Sequence, residues 1–190
     1  MFLAVHASVG ALAGNAVASP VAAFVLGFVS HFFIDMIPHG DAAMYEGYKS
    51  GAKRRIAIFY VAADAVATLV IIATFFLFQD FFSPLNVALG IVGGLLPDLI
   101  VGLYEMVEPR RHKSWYRRLE SFHVLHMKNH CYLGKFFCKD QKHGHEHVTP
   151  QEFLYDLKFS MKQFTERDIP FKYGLLLQGV TLVSCLIIIL

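Results

Sequence analysis

Residues Ile56–Phe78 read IAIFYVAADAVATLVIIATFFLF, and Asp64 is the one charged side chain in the stretch. As a helix this segment reaches about 35 Å, enough to cross a hydrocarbon core of about 30 Å. The same poverty of charge recurs on both sides of it. Residues 1–34 hold no Asp, Glu, Lys or Arg, Phe81–Tyr104 holds only Asp98, and Tyr173–Leu190 holds none. A chain of 190 residues has no water-soluble core large enough for four such stretches, whereas lipid accommodates them. With 55% hydrophobic and 17% charged residues, the composition argues against a disordered chain, and three cysteines argue against a disulfide scaffold. The expected fold is an all-α, polytopic integral membrane helical bundle.

About five membrane helices are expected, near residues 2–17, 20–37, 56–78, 84–104 and 171–190. The first is short, about 24 Å. It lacks a basic leader and carries His6, so it reads as a membrane helix and not as a signal peptide. Pro20 suits the first turn of the second helix, and Pro38 with Gly40 ends it. Gly90, Gly93, Gly94 and Gly102 invite close helix contact along the fourth. The organisation is therefore membrane helices 1–4 in residues 1–106, a polar insert at 107–170, and a C-terminal membrane helix at 171–190.

Val107–Pro170 pools twelve Lys/Arg and eight Asp/Glu. Lys49, Lys53, Arg54 and Arg55 precede the third helix, while Arg110, Arg111, Lys113, Arg117 and Arg118 follow the fourth. Both clusters bracket one hairpin, and the positive-inside rule places that side, with the insert, in the cytoplasm of an inner-membrane protein. Basic residues confined to the membrane edge point to lipid and not to nucleic acid. Within the insert, Thr149-Pro150-Gln151-Glu152 opens an amphipathic helix whose stripe is Phe153, Leu157, Met161 and Phe164. That face suits the bilayer surface and the insert's own aromatic residues equally well. Cys131 and Cys138 do not have zinc-knuckle spacing, and the run Lys142-His143-Gly144-His145-Glu146-His147 suits transient metal capture or nothing specific.

This topology gathers the polar residues of the spans at one depth. His6 lies near the cytoplasmic end of the first helix. His31 and Asp35, four apart, project from one face of the second, with His39 four further on. Asp98 follows Pro97 about one and a half turns from the end of the fourth. Carboxylates and imidazoles in hydrocarbon are costly unless paired, hydrated or liganded. A divalent ion held by His6, His31, Asp35 and Asp98 solves that, zinc first, manganese or iron next. The alternative is hydrogen bonding alone, with His6 and His31 paired across the helical hairpin. Asp64 lies deeper, outside the ligand set, as a relay or as a partner for a neighbouring helix.

Beyond the fourth helix, His123, His126 and His130 share a helical face that can fold back over this layer, one of them as a ligand or a general acid. Nucleotide-binding glycine loops, the nucleophile elbow and His-Glu-x-x-His are all missing.

His6 with Gly10, Gly94-Leu95-Leu96-Pro97-Asp98, and His123 with His126 resemble the motifs of the bacterial and archaeal membrane-bound, predicted metal-dependent hydrolases. His31, Asp35, Pro38 and His39 look like that family or its zinc-dependent phospholipase-like relatives. The likeness covers roughly the first 130 residues. Two elements depart from it: the family's Asp-x-Asp-His is Asp98-Leu99-Ile100-Val101 here, and its His-Arg-Gly-x-x-His is reduced to His123-Val124-Leu125-His126.

The resulting expectation is a membrane metal-dependent hydrolase acting on a lipid-like, phosphoester substrate. Asp35 or His39 would take the proton of water, His123 or His126 would protonate the leaving group, and Arg117 and Arg118 would attract the anion. The competing reading is a transporter or metal-handling protein with Asp64 on its route and the histidine run as collector. A structural membrane protein whose insert binds a partner is the third. Convergence of Asp98 with His31 and Asp35, with Asp64 engaged elsewhere, favours the hydrolase.

Overall fold

A computed structural model describes residues 1–107, 114–130 and 168–189. The amphipathic segment after Thr149, Cys131, Cys138, the His143–His147 run and Arg110, Arg111 and Lys113 lie outside the described residues, as do the side chains of Arg117 and His130. Among the described residues there are seven helices and no strand: α1 (Leu3–Asn15), α2 (Pro20–Asp35), α3 (Ala42–Lys49), α4 (Arg54–Phe78), α5 (Pro84–Val107), α6 (Ser114–His130) and α7 (Phe171–Ile189).

Three of them, Arg54–Phe78, Pro84–Met106 and Phe171–Ile189, are long and apolar enough to cross a membrane. Their outer faces carry exposed apolar side chains such as Val61, Leu69, Leu77, Leu85 and Ile187, an arrangement suited to lipid. The shorter α2 is apolar as well.

The α1 helix sits in the middle. It packs on α5 and α2 and also touches α4 and α7, while α6 rests on α5 and α2, and α3 rests on α4. Its 13 residues are mostly small and mostly buried, including Ala4, Ala7, Gly10, Ala11 and Gly14. A helix apolar on all sides belongs inside protein, which explains how one of only about 20 Å is accommodated. Small residues let the backbones close up: a Cβ added to Gly90 would run into the Gly10 carbonyl, and one added to Gly27 would run into that of Gly90. An apolar cluster of Ala7, Ala11, Phe75, Val87 and Ile91 fills the bundle between α1, α4 and α5.

The buried start of α1 has no cap of its own, since Phe2 supplies none. Other helices provide one. Asp64 of α4 accepts the Leu3 and Ala4 N–H groups at 2.6 and 3.3 Å, and Gln178 Oε1 of α7 accepts the Phe2 N–H at 2.6 Å. Away from water, unmet helix-end donors would be expensive. Asp64 is thus the partner of a neighbouring helix.

Ser19 accepts the Ala22 N–H and Pro20 opens α2. That helix stops at Asp35, earlier than position 37, because Pro38 disfavours the helical conformation for Ile37. The α3 helix has no counterpart in the sequence reading. Asp41 stands at its start without capping it, and the carboxylate of Asp168 accepts N–H groups of His39, Gly40 and Ala42 at 3.0, 2.7 and 2.9 Å. This clamp fixes the turn that follows α2.

Candidate metal centre

Four elements bring their polar side chains to one point. On α2, His31 and Asp35 are one turn apart and both are fully buried. Asp98 comes from α5, where Pro97 lacks the N–H that would bond Gly93, and the next carbonyl, that of Gly94, accepts the His31 Nδ1–H at 2.8 Å. His126 comes from α6 and is 3% exposed, a value that places it inside the bundle and not on its surface. One ligating atom each from His31, Asp35, Asp98 and His126 all lie within 4.8 Å of one another.

The distances fall on both sides of those expected around a tetrahedral ion. Asp35 Oδ2 is 3.0 Å from His31 Nε2 and 3.1 Å from His126 Nε2. Asp98 Oδ1 is 3.8 and 3.7 Å from the same two nitrogens. Ligands at about 2.1 Å around a tetrahedral ion stand about 3.4 Å apart. This His/Asp cluster can therefore hold a divalent ion.

The hydrogen-bond chemistry agrees. A carbonyl only accepts, so the contact with Gly94 puts the proton of neutral His31 on Nδ1 and leaves Nε2 as a lone pair. That lone pair faces His126 Nε2 at 2.9 Å, a separation that needs a proton or a cation between the rings. Holding Nδ1–H on a backbone carbonyl is the usual way a protein aims a ligating imidazole.

His6 joins from α1. Its ring stacks on His31 with centroids 3.9 Å apart, and its Nε2 lies 3.1 Å from Asp35 Oδ1 and 3.8 Å from Asp98 Oδ2. Both of its ring nitrogens are buried, with no hydrogen bond among the described residues. Asp35 is the hub, because Oδ2 faces His31 and His126 while Oδ1 faces His6 and the Met1 amino group at 3.0 Å.

The other residues singled out from the sequence flank this point. His39 Nε2 meets the Met1 nitrogen at 2.7 Å and Asp41 Oδ2 at 3.2 Å. His123 stacks on Tyr104 with centroids 4.5 Å apart and lies 3.3 Å from the Tyr45 hydroxyl. Tyr45 donates to Glu105 Oε1 at 2.6 Å, and Lys49 pairs with Glu105 Oε2 at 2.9 Å. Arg118 is exposed. Of the centre's residues, Asp98 is the most accessible, with its side chain 21% exposed against 4% or less for His6, His31, Asp35 and His126, so the centre opens on the Asp98 side.

Sequence reasoning offered one of His123, His126 and His130 as a ligand or a general acid, and it is His126 whose Nε2 lies within the ligand-forming set. Asp168 and Gln178, which fix the backbone around His39 and Met1, carried no signal. Comparison with protein-family models, with curated proteins and with solved structures gives no match. What stands is an all-α protein with membrane-length apolar helices and a buried His/Asp cluster able to bind metal.

Proposed function

We propose that the protein is a membrane-embedded, metal-dependent hydrolase acting on a lipid-like phosphoester at the cytoplasmic leaflet. The observation that carries this reading is the cluster of His31, Asp35, Asp98 and His126, with one edge open at Asp98. These four hold the ion in our reading, with His6 beside them; zinc suits the mixed nitrogen and oxygen set best, and manganese or iron also fit. Bound there, a divalent ion supplies a lowered pKa for water and polarisation of a phosphoryl oxygen.

The chain's own residues account for the rest. Asp35 is enclosed by imidazoles and by the Met1 amino group, which leaves it to organise the centre. His39 engages Nδ1 with the Ile37 carbonyl at 2.7 Å and Nε2 with Met1, so both atoms a base would use are occupied. Asp98, the looser and more accessible of the centre's two carboxylates, therefore takes the proton of the attacking water. In our reading His123, linked through Tyr45 to Glu105, protonates the leaving oxygen. Arg117 and Arg118, six and five residues before His123 in the sequence, supply positive charge for the substrate anion.

Asp64 argues against a transport route, because its carboxylate is engaged in capping α1. The five-span count and the cytoplasmic position of residues 107–170 belong to this proposal, supported by the basic clusters that bracket α4 and α5. The test is turnover of phospholipid and polyprenyl-phosphate panels by the detergent-purified chain. Activity that needs added metal and falls at least 100-fold in Asp98→Asn supports the reading; metal bound without turnover on either panel removes the enzyme claim.

A further inference from the structure

Three helices meet at the His123 ring, one turn of α6 away from His126. Tyr104 of α5 stacks on the ring with centroids 4.5 Å apart and planes 16° from parallel. Tyr45 of α3 brings its hydroxyl to His123 Nε2 at 3.3 Å. Glu105, the next residue of α5, takes that same hydroxyl at 2.6 Å. Lys49, one turn beyond Tyr45 on α3, donates to both Glu105 oxygens at 3.3 and 2.9 Å. Exposure falls along this row, from 28% at the Lys49 side chain and 12% at that of Glu105 to 2% at His123, so it leads from the surface to a buried ring.

Proton counting fixes the direction of each bond. An ionised carboxylate accepts and does not donate, and a phenol has one proton to give. The shorter contact takes that proton, so Tyr45 donates to Glu105 and its oxygen accepts from His123. The donor in the longer contact is therefore Nε2–H. A neutral imidazole has one proton, so its lone pair then stands on Nδ1.

We infer that Tyr45 and Glu105 are positioning residues that hold His123 as the Nε2–H tautomer and make Nδ1 the nitrogen through which it gives its proton to the leaving oxygen. The role toward the leaving oxygen rests on the hydrolase reading; the tautomer does not. The Lys49 ammonium matches the Glu105 charge, so direction and not net charge passes along the row. An imidazolium carries a proton on each nitrogen. Loss of the Nδ1 proton to the leaving oxygen leaves the Nε2–H form, already bonded to Tyr45, and no second proton has to move. The attacking water gives one proton to Asp98 and the leaving group takes one from His123, so the chain's protons balance when both groups exchange with solvent.

The supports of this row are themselves fixed. The Asp168 clamp holds the Ala42 N–H at 2.9 Å, and Tyr45 and Lys49 follow on one face of α3. Tyr104 sets the ring plane while Tyr45 sets the proton, so orientation and tautomer are determined together.

The experiment is ¹⁵N NMR of the full chain, labelled at histidine, purified in detergent and dialysed against Zn²⁺, with His123 identified by the signals lost in His123→Gln. In alkaline buffer, where imidazole is neutral, His123 is expected to show a protonated Nε2 and a bare Nδ1. Tyr45→Phe keeps the ring and removes the hydroxyl, and its two His123 nitrogens are expected to average as the tautomers mix. Glu105→Ala releases the Tyr45 proton to donate to Nε2, which is expected to move the imidazole proton to Nδ1. Zinc stoichiometry is expected to match the parent in both variants. On the phosphoester panels kcat of Tyr45→Phe is expected to fall about 10-fold at unchanged KM, against about 10²–10⁴-fold for His123→Gln, the range a general acid contributes. A neutral His123 protonated on Nδ1 in the parent chain, or the parent spectrum in both variants, overturns the inference. An Nε2–H tautomer in a chain that turns over neither panel upholds the tautomer and overturns the role toward the leaving oxygen, together with the enzyme reading.

Discussion

His31 Nε2 and His126 Nε2 lie 2.9 Å apart, with Asp35 Oδ2 within 3.1 Å of each. The first nitrogen belongs to α2, in the packed bundle, and the second to α6, which is reached only after the basic stretch that follows α5. Anything that binds between them fastens α6 to the rest of the bundle.

His126→Ala is expected to lower zinc affinity by more than the roughly 10–100-fold typical of outer-shell groups, since it removes a ligand-forming atom. Removal also frees α6, which is otherwise attached through Asn129 to the Phe32 carbonyl and through His123 to Tyr104 and Tyr45. Calorimetric zinc titration measures the first effect, and hydrogen exchange across residues 118–130 measures the second. Parental affinity in this variant would remove His126 from the centre.

Asp64→Ala leaves the Leu3 and Ala4 N–H groups without their acceptor in the bundle interior. A lost helix cap costs about 1–2 kcal/mol, so the detergent-solubilised melting temperature is expected to fall. Zinc stoichiometry is expected to stay as in the parent chain. Unchanged stability together with lost cation flux into vesicles would revive the transport reading.

Gly90→Ala forces a methyl group into the Gly10 carbonyl, with backbone on both sides and no flexible side chain to yield. Overpacking of this kind costs about 1–3 kcal/mol. Gly102, where an added Cβ meets nothing within 4 Å, is the internal control. Thermal melts of Gly90→Ala and Gly102→Ala should separate clearly; equal melts would deny the close contact of α1 with α5.

Zinc loading is expected to decline as pH drops through the ordinary imidazole range. Ligation uses neutral histidine, so protons compete with the ion, and affinity rises with pH over that range. Zinc binding followed between about pH 5 and pH 8 checks the sign. A flat profile would mean that imidazole is not in the coordination sphere.

The apolar helices were legible because an apolar run without charge has few soluble interpretations. α2, α4, α5 and α7 each begin or end within a few residues of their expected bounds. The likeness of depth among His31, Asp35 and Asp98 was legible for the same reason, since helical rise converts sequence position into height. Capping of α1 by Asp64 was not, because a cap given by another helix leaves no local pattern beside the residues it serves. The Asp168 clamp is the same case, spanning 126 to 129 positions along the chain. His126 was visible as a polar residue, but its place beside His31 depends on how α6 turns back after α5. Charge placement gave a side for the loops, and the helices themselves carry no information on that point.

X-ray absorption at the zinc edge tests the central claim most directly, using a chain in which His143, His145 and His147 are alanine. Our account predicts retained zinc with only nitrogen and oxygen neighbours near 2.0–2.1 Å, at least two of them imidazole, and loss of that signal in His31→Ala. Sulfur neighbours near 2.3 Å, or a spectrum untouched by His31→Ala, would contradict it.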